Sequence, residues 1–192
     1  GEVRHINAPD MSGRYLELVR DGAKWKNMIF LYNNIINTTI EFMNNDAAIF
    51  FDLPITTRMI SSPGALNGRI PSDVHPFKID MFGHEAFLTQ SSQLYLEFAI
   101  TTPGIDKAYC IDKSFRMEKA NFRHLPEFTH IEYEANINFE QNLRLQELYL
   151  KFLIRHLLEK SDDILRSFLD EEDIQELVRL CNHEKFEVIS FL

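Results

Sequence analysis

Two long stretches of the chain repeat apolar residues every three or four positions, and each predicts an amphipathic helix. The apolar positions of the first stretch are Trp25, Met28, Ile29, Tyr32, Ile35, Ile36, Ile40 and Met43. The second stretch runs from about Gln141 to Lys160, and its apolar side consists of Leu145, Leu148, Phe152, His156 and Leu157. Because amphipathic helices usually bury their apolar side, we expect this second stripe to be core, with His156 hydrogen-bonded inside it.

The segment that follows the first helix predicts strands. "AAIFFDLP", residues 47–54, predicts a short buried strand that Pro54 stops. "FKIDMFG" and "EAFLT" predict a hairpin with Gly83 and His84 at its turn. Between the strand that Pro54 ends and this hairpin, residues 60–73 are rich in Ser, Pro, Gly and Asn, which predicts a long loop.

Residues 107–118 and 127–137 alternate apolar and polar side chains. This alternation predicts two antiparallel strands, joined by the loop "KANFRHLP". "SQLYLEFAITT" predicts a helix capped by Ser92. Ser161 and Asp170 are candidate N-caps for further helical pieces near the end of the chain. The order of elements predicts an α+β protein whose antiparallel sheet is flanked by helices.

Composition limits the class of protein. The chain has 192 residues, of which 45% are hydrophobic, and this favours one packed domain. We divide it into an N-terminal lead-in, residues 1–24, and a domain of residues 25–192. A net charge of −9 argues against a general attraction to DNA or RNA. The two cysteines, Cys110 and Cys181, form no CxxC pair, so we expect free buried thiols. We expect no membrane segment and a cytoplasmic location.

The charged segment from Ser114 to Glu134 is the main candidate for chemistry. On a strand, Arg116 and Glu118 point to the same face. An exposed ladder of ion pairs would explain these charges without any ligand. The loop and second strand add two cationic side chains and an aromatic ring, which together suit phosphates and a stacked base. From the residues alone, an ion-pair ladder and an ATP site both remain open.

Two segments resemble a known family. "FRMEKANFRHLPEFTHIEYE" resembles motif 2 of the class II aminoacyl-tRNA synthetases. "AFLTQSSQLYLE" resembles the amino-acid-binding segment of the asparaginyl-tRNA synthetases, whereas aspartyl enzymes carry a lysine where this chain has Leu96. The helix that starts near Trp25 and continues into "IFFDLP" resembles motif 1, which implies a homodimer through residues 25–54.

The resemblance implies roles in binding ATP. Arg116 would be the catalytic residue, holding the α-phosphate and the amino-acid carboxylate. Glu118 would accept a hydrogen bond from the adenine amino group, and Phe128 would stack on adenine. Arg123 and His124 would contact the outer phosphates or the acceptor end of tRNA. The implied cofactors are ATP and Mg²⁺, and we assign no residue as a metal ligand.

The resemblance also implies an amino-acid pocket lined by Gln90, Gln93 and Glu97. A glutamate accepts a hydrogen bond from a carboxamide and repels a carboxylate, so Glu97 together with Leu96 favours asparagine over aspartate. The implied function is formation of an aminoacyl adenylate by an asparagine–tRNA ligase. Catalysis would then rest on positioning and electrostatics.

Three departures from the family leave alternatives open. No segment after Lys160 resembles the glycine-rich, arginine-bearing motif 3, so we expect a chain truncated before it. The loop "SSPGALNG" lacks the Glu-Gly typical of the family, and no β-barrel domain precedes the core. "DLPITTRMISSPG" resembles archaeal relatives of asparagine synthetase A, which amidate aspartate through an adenylate. A third possibility is an inactive synthetase paralogue that acts as a binding or regulatory dimer.

Overall fold

The computed structural model describes residues 20, 22–58, 76–117, 121 and 124–189. The described residues belong to two compact units, a strand unit within 47–136 and a helical unit within 22–46 and 137–189. The loop predicted at 60–73 lies outside the described residues. The division into a lead-in of residues 1–24 and a domain of residues 25–192 stays a prediction.

The described residues of the strand unit form six strands and one helix. In chain order these are β1 (Ile49–Phe50), β2 (Thr56–Thr57), β3 (Lys78–Met81), β4 (His84–Leu88), α2 (Gln93–Ile100), β5 (Lys107–Phe115) and β6 (Glu127–Ala135). One sheet has the order β1-β5-β6 and the other the antiparallel order β2-β4-β3. β5 and β6 form the predicted antiparallel pair, with Lys107 opposite Ala135 and Phe115 opposite Glu127. β1 adds to this pair in the parallel direction.

Helix α2 covers one face of the larger sheet and makes the core of the unit. Leu96 and Ala99 pack against Ala108 and Cys110 of β5, and the Leu96 side chain is 0% exposed. Alternation along β5 places Ala108 and Cys110 on one face. The face that continues toward Ser114 and the end of the strand is the one that carries the candidate chemistry.

The structure corrects two details of the strand prediction. β1 was predicted to be buried, but Ile49 and Phe50 are 49% and 52% exposed because β1 is an edge strand with one neighbour. The hairpin turn is formed by Phe82 and Gly83, whereas His84 already pairs with Met81. Both turn residues have positive φ, 55° and 81°, as a tight two-residue hairpin turn requires.

The helical unit contains both long helices predicted from the apolar periodicity. Its elements are α1 (Gly22–Asn45), α3 (Phe139–Lys160), α4 (Asp162–Leu165) and α5 (Glu171–Asn182). Asp170 caps α5 as predicted, because its side chain accepts a hydrogen bond from the Asp173 backbone N at 3.0 Å. Ser161 precedes α4, but its hydroxyl accepts instead from Asn34 Nδ2 at 2.7 Å.

The buried side of α3 is more polar than predicted. Leu148 was expected in the core but is 43% exposed, whereas Glu147 and Lys151 are buried. Lys151 Nζ donates to Glu147 Oε1 and to the backbone oxygen of His183, each at 2.5 Å. The segment after α5 therefore covers this side of the helix. His156 is hydrogen-bonded as predicted, with Nδ1 3.0 Å from the Phe152 backbone oxygen.

Other expectations can be compared with the described residues. Cys110 and Cys181 are free and buried, as predicted. Within the part of the chain that the structure describes, no helix is long and apolar enough to cross a membrane.

Candidate functional site

Arg116 and Phe128, two of the predicted site residues, meet where β5 ends and β6 begins. The Arg116 backbone N donates to the Pro126 oxygen at 2.9 Å, so the pairing of the two strands continues beyond β5. The Arg116 Cζ atom lies 5.4 Å from the centroid of the Phe128 ring. Arg116 Nε is buried and has no hydrogen-bond partner among the described residues. A buried donor without an acceptor is costly, so this guanidinium is suited to an anionic ligand.

The loop between the strands is described only in part. His124 is exposed, and its backbone N donates to Asn121 Oδ1 at 3.0 Å. Its ring Nδ1 lies 3.1 Å from the same oxygen. Asn121 N in turn donates to the His124 oxygen at 3.1 Å. Glu118 and Arg123 lie outside the described residues.

On the face of the β5–β6 pair that carries Arg116 and Phe128, three polar side chains lie that the sequence analysis did not select: Asp112, Ser114 and His130. Alternation places Asp112, Ser114 and Arg116 on that face, opposite His130 and Phe128 of β6. Ser114 Oγ is hydrogen-bonded to His130 Nδ1 at 3.0 Å. Residues two positions apart on a strand lie on the same face. The alternation that predicts β5 therefore also indicates that Asp112 and Ser114 share a face with Arg116.

Glu132 connects this face to α2. Its side chain is 9% exposed, and Oε2 accepts a hydrogen bond from the Ser92 backbone N at 2.7 Å. Ser91 Oγ donates to the other carboxylate oxygen. The predicted cap at Ser92 is therefore wrong in detail. The Ser92 side chain makes no capping hydrogen bond, and the Glu132 carboxylate accepts a hydrogen bond from the backbone at the start of α2 instead. Glu132 fixes the start of the helix that carries the predicted amino-acid pocket.

The predicted pocket residues fall into two environments. Gln90 is 5% exposed and lies in the turn before α2. Gln93 and Glu97 lie one turn apart on the exposed side of the helix, where Gln93 Nε2 donates to Glu97 Oε1 at 3.0 Å. Glu97 also acts on β6, because its charge adds to the burial that raises the pKa of Glu134.

Comparison with known proteins assigns the family. Residues 8–191 match the family model of tRNA synthetases class II (D, K and N). The chain belongs to this class II synthetase family. The β5–β6 pair, with Arg116 just after β5, is the segment whose sequence resembles motif 2 of this family.

Within the class II family, the similarity that was found is to the asparaginyl type. The cytoplasmic asparagine–tRNA ligase of Mus musculus is 44% identical over 52 residues, which are 27% of this chain and 9% of that protein. The probable cytoplasmic asparagine–tRNA ligase of Encephalitozoon cuniculi is 40% identical over 52 residues, covering 27% and 11%. The aligned segment thus spans about a tenth of the length of these curated relatives.

Solved structures agree with this class II core. The asparaginyl-tRNA synthetase of Pyrococcus horikoshii, complexed with asparaginyl-adenylate, matches with a TM-score of 0.72 and 26% identity. That match covers 84% of this chain and 35% of the other. The Entamoeba histolytica asparaginyl-tRNA synthetase matches with a TM-score of 0.67 and 25% identity, covering 86% and 37%. The chain therefore spans about a third of these synthetase structures.

The face of β5 that carries Arg116 also carries two groups with raised pKa values, Asp112 and Cys110. Burial raises the pKa of Asp112, the Cys110 thiol acts in the opposite direction, and the charges of Asp52 and Glu132 raise it further. Burial also raises the pKa of the Cys110 thiol, so this cysteine is not a nucleophile at neutral pH. A cationic group bound beside these carboxylates would stabilise their charged forms.

Proposed function

We propose that the protein activates asparagine with ATP, as an asparagine–tRNA ligase does. The observation that carries the proposal is the guanidinium of Arg116: its buried Nε has no partner among the described residues, and its Cζ lies over the Phe128 ring. In the proposed reaction an oxygen of the asparagine carboxylate attacks the α-phosphorus of ATP. The products are asparaginyl adenylate and pyrophosphate. A hydroxyl at the acceptor end of tRNA would then take the asparaginyl group, which breaks the bond between the acyl group and the phosphate and releases AMP.

The residues of motif 2 fit a nucleotide. Arg116 would hold the α-phosphate and neutralise charge as the phosphoryl group is transferred. The Phe128 ring offers a flat surface for adenine, and Glu118 would accept a hydrogen bond from the adenine amino group. Arg123 and the exposed His124 would contact the outer phosphates or tRNA. Class II synthetases use Mg²⁺ with ATP, and the metal would neutralise phosphate charge.

The surroundings of α2 favour asparagine over aspartate. Leu96 is fully buried in the apolar core, so this position supplies no cation that could hold a second substrate carboxylate. Glu97 and Gln93, both exposed and hydrogen-bonded to each other, would face the carboxamide. Gln90 would line the same pocket from the turn before the helix. A carboxylate at Glu97 would repel aspartate.

We further propose a homodimer in the cytoplasm. In the helical unit, α1 exposes Met28, Ile29, Phe30 and Tyr32, each about half exposed. In the strand unit, the edge strand β1 exposes Ile49 and Phe50. These apolar side chains belong to the segments that resemble motif 1, which supports an interface there. The curated relatives are named as cytoplasmic ligases, which supports the location.

The proposal is tested by ATP–pyrophosphate exchange with the full-length protein, comparing asparagine and aspartate at equal concentration. We expect exchange driven by asparagine. We also expect Arg116→Ala to lower that exchange by roughly a hundredfold or more, because it removes a charge aimed at the transferred group. Lys113→Ala is the matched control, because Lys113 is an exposed cation of the same strand that donates to Thr129 Oγ1.

Each other outcome has a definite meaning. Exchange driven only by aspartate would replace the ligase with an amidating enzyme of the asparagine synthetase A type. No exchange with either amino acid, from a folded full-length protein, would leave a non-catalytic paralogue. Equal loss in Arg116→Ala and Lys113→Ala would refute the role of Arg116.

A further inference from the structure

Asp112 is a second residue of the site face whose bonding is incomplete. It lies on β5, four residues before Arg116 and on the same side of the strand. The side chain is half-buried, and Oδ2 is buried with no hydrogen-bond partner in the described part of the chain. The Cys110 thiol interacts with this carboxylate, but no donor reaches Oδ2. Buried carboxylate oxygens are normally satisfied, so this one requires an explanation.

The charges around Asp112 do not supply the missing donor. The ionisable groups that act on it are Cys110, Asp52 and Glu132, and none of the three is a cation. Among the described residues, no Lys, Arg or His forms an ion pair with Asp112. A carboxylate that is partly desolvated beside two others is unfavourable unless a cation binds to it.

The two incomplete groups on this face have opposite charge. Within the described ranges, Asp112 has no donor at Oδ2 and Arg116 has no acceptor at Nε. Four residues of extended strand separate their Cα atoms by about 13 Å. The side chain of Arg116 is long, so its guanidinium can lie closer to Asp112 than the Cα atoms do. The remaining gap can then be filled by one small bound molecule. A ligand with an anionic and a cationic end would complete both groups.

We propose that Asp112 accepts a hydrogen bond from the α-ammonium group of the amino-acid substrate, while Arg116 holds the carboxylate of the same molecule. The inference rests on the proposed function, because it assumes that an amino acid binds on this face. It adds a substrate contact on β5, outside the pocket residues predicted on and before α2. Asp112 thereby selects an α-amino acid over a molecule that carries only the carboxamide and the carboxylate.

The test compares two ligands that differ by the ammonium group alone. Succinamic acid is asparagine without its α-amino group. We would measure the binding of each to the full-length protein and to Asp112→Asn by calorimetry. We expect Asp112→Asn to weaken asparagine binding roughly tenfold or more, because a hydrogen bond between two charged groups is lost. Succinamic acid should bind both proteins equally, within about twofold, since it has no group for Asp112 to contact.

The control is Asp106→Asn, which changes an exposed aspartate just before the same strand and should alter neither affinity. Asp112→Ser is a second variant, for use if the Asp112→Asn protein does not fold. Equal weakening of both ligands, or no weakening of either, would overturn the proposal. An asparagine effect that disappears when Mg²⁺ is removed would also overturn it, because Asp112 would then hold the metal.

The design separates this inference from the proposed function. A wild-type protein that binds no asparagine and shows no exchange refutes both. A wild-type protein that binds asparagine, together with an Asp112→Asn variant that binds it equally well, refutes the role of Asp112 alone.

Discussion

At the scale of single residues, the proposed selectivity for asparagine depends on how carboxylates are placed around α2. Glu97 is exposed, hydrogen-bonds to Gln93, and lies close enough to β6 for its charge to raise the pKa of Glu134. A ligand that enters this region meets several negative charges. A neutral carboxamide can donate hydrogen bonds to them, whereas a carboxylate is repelled.

We therefore predict that Glu97→Gln weakens discrimination against aspartate. The ratio of kcat/KM for asparagine to that for aspartate should fall roughly tenfold, since the repulsion and one charged acceptor are both removed. Exchange kinetics with each amino acid measure the ratio. The same change should lower the pKa of Glu134, which NMR titration would detect.

Glu85→Gln provides the matched control for that change. Glu85 is an exposed carboxylate of the same unit, paired with Lys78 at 3.0 Å on the hairpin. An unchanged ratio in Glu97→Gln, or an equal change in Glu85→Gln, would contradict a selective role for Glu97.

At the scale of elements, the buried Glu147–Lys151 pair attaches the segment after α5 to α3. Lys151 Nζ also donates to the Glu184 oxygen at 3.3 Å and stands 4.9 Å from the centroid of the Phe186 ring. Removing one member of a buried pair leaves an uncompensated charge. We predict that Lys151→Met lowers the free energy of unfolding of the helical unit by about 3 kcal/mol. Equilibrium denaturation followed by hydrogen exchange would measure it.

A double variant and a surface control test the cause of that loss. Glu147→Leu combined with Lys151→Met should cost less than Lys151→Met alone, because no unpaired charge remains. Lys160→Met removes an exposed lysine of the same helix, 3.8 Å from Glu41, and should cost about 1 kcal/mol or less. Equal losses in the two lysine variants would contradict a special role for the buried pair.

The elements also show what a sequence can predict. Periodicity located α1, α3 and the β5–β6 pair, because each repeats one pattern over many residues. Periodicity could not find the cap of α2, because Glu132 lies 40 residues along the chain from Ser92. It also gave no sign that Lys151 is buried, since charged residues are rarely buried without a partner, and one partner here is the distant His183 oxygen. The site residues of motif 2 were predicted from the family resemblance. No pattern in the sequence singled out Asp112, whose distinguishing feature is an Oδ2 atom with no partner among the described residues.

At the scale of the whole molecule, the two units carry carboxyl groups with opposite pKa shifts. In the strand unit, burial raises the pKa of Asp112 and Glu134 above their ordinary values of 3.8 and 4.5. In the helical unit, the hydrogen bond from Lys151 lowers the pKa of Glu147 below 4.5, and bonds from Gln175 and Arg166 lower that of Glu171. The two units should therefore respond to acid in opposite directions.

The sign of each response follows from linkage. A raised pKa contributes stability that is complete below the ordinary value and is lost as pH rises through the raised value. A lowered pKa contributes stability above the ordinary value, and that stability is lost as pH falls through the lowered value. Acidification through the raised pKa values of Asp112 and Glu134 should thus stabilise the strand unit. Further acidification, below about 4.5, should destabilise the helical unit through Glu147 and Glu171.

Hydrogen exchange resolved by peptide, corrected for the intrinsic pH dependence of exchange, would separate the two units. Asp112→Asn should reduce the gain of the strand unit on acidification and leave the helical unit unchanged. Glu147→Gln should reduce the acid loss of the helical unit and leave the strand unit unchanged. Parallel responses of both units in the unmodified protein would contradict the assignment. If Asp112→Asn also proves more stable than the wild type at pH 7 while binding asparagine less well, then this carboxylate is held at a cost to the fold because the substrate requires it.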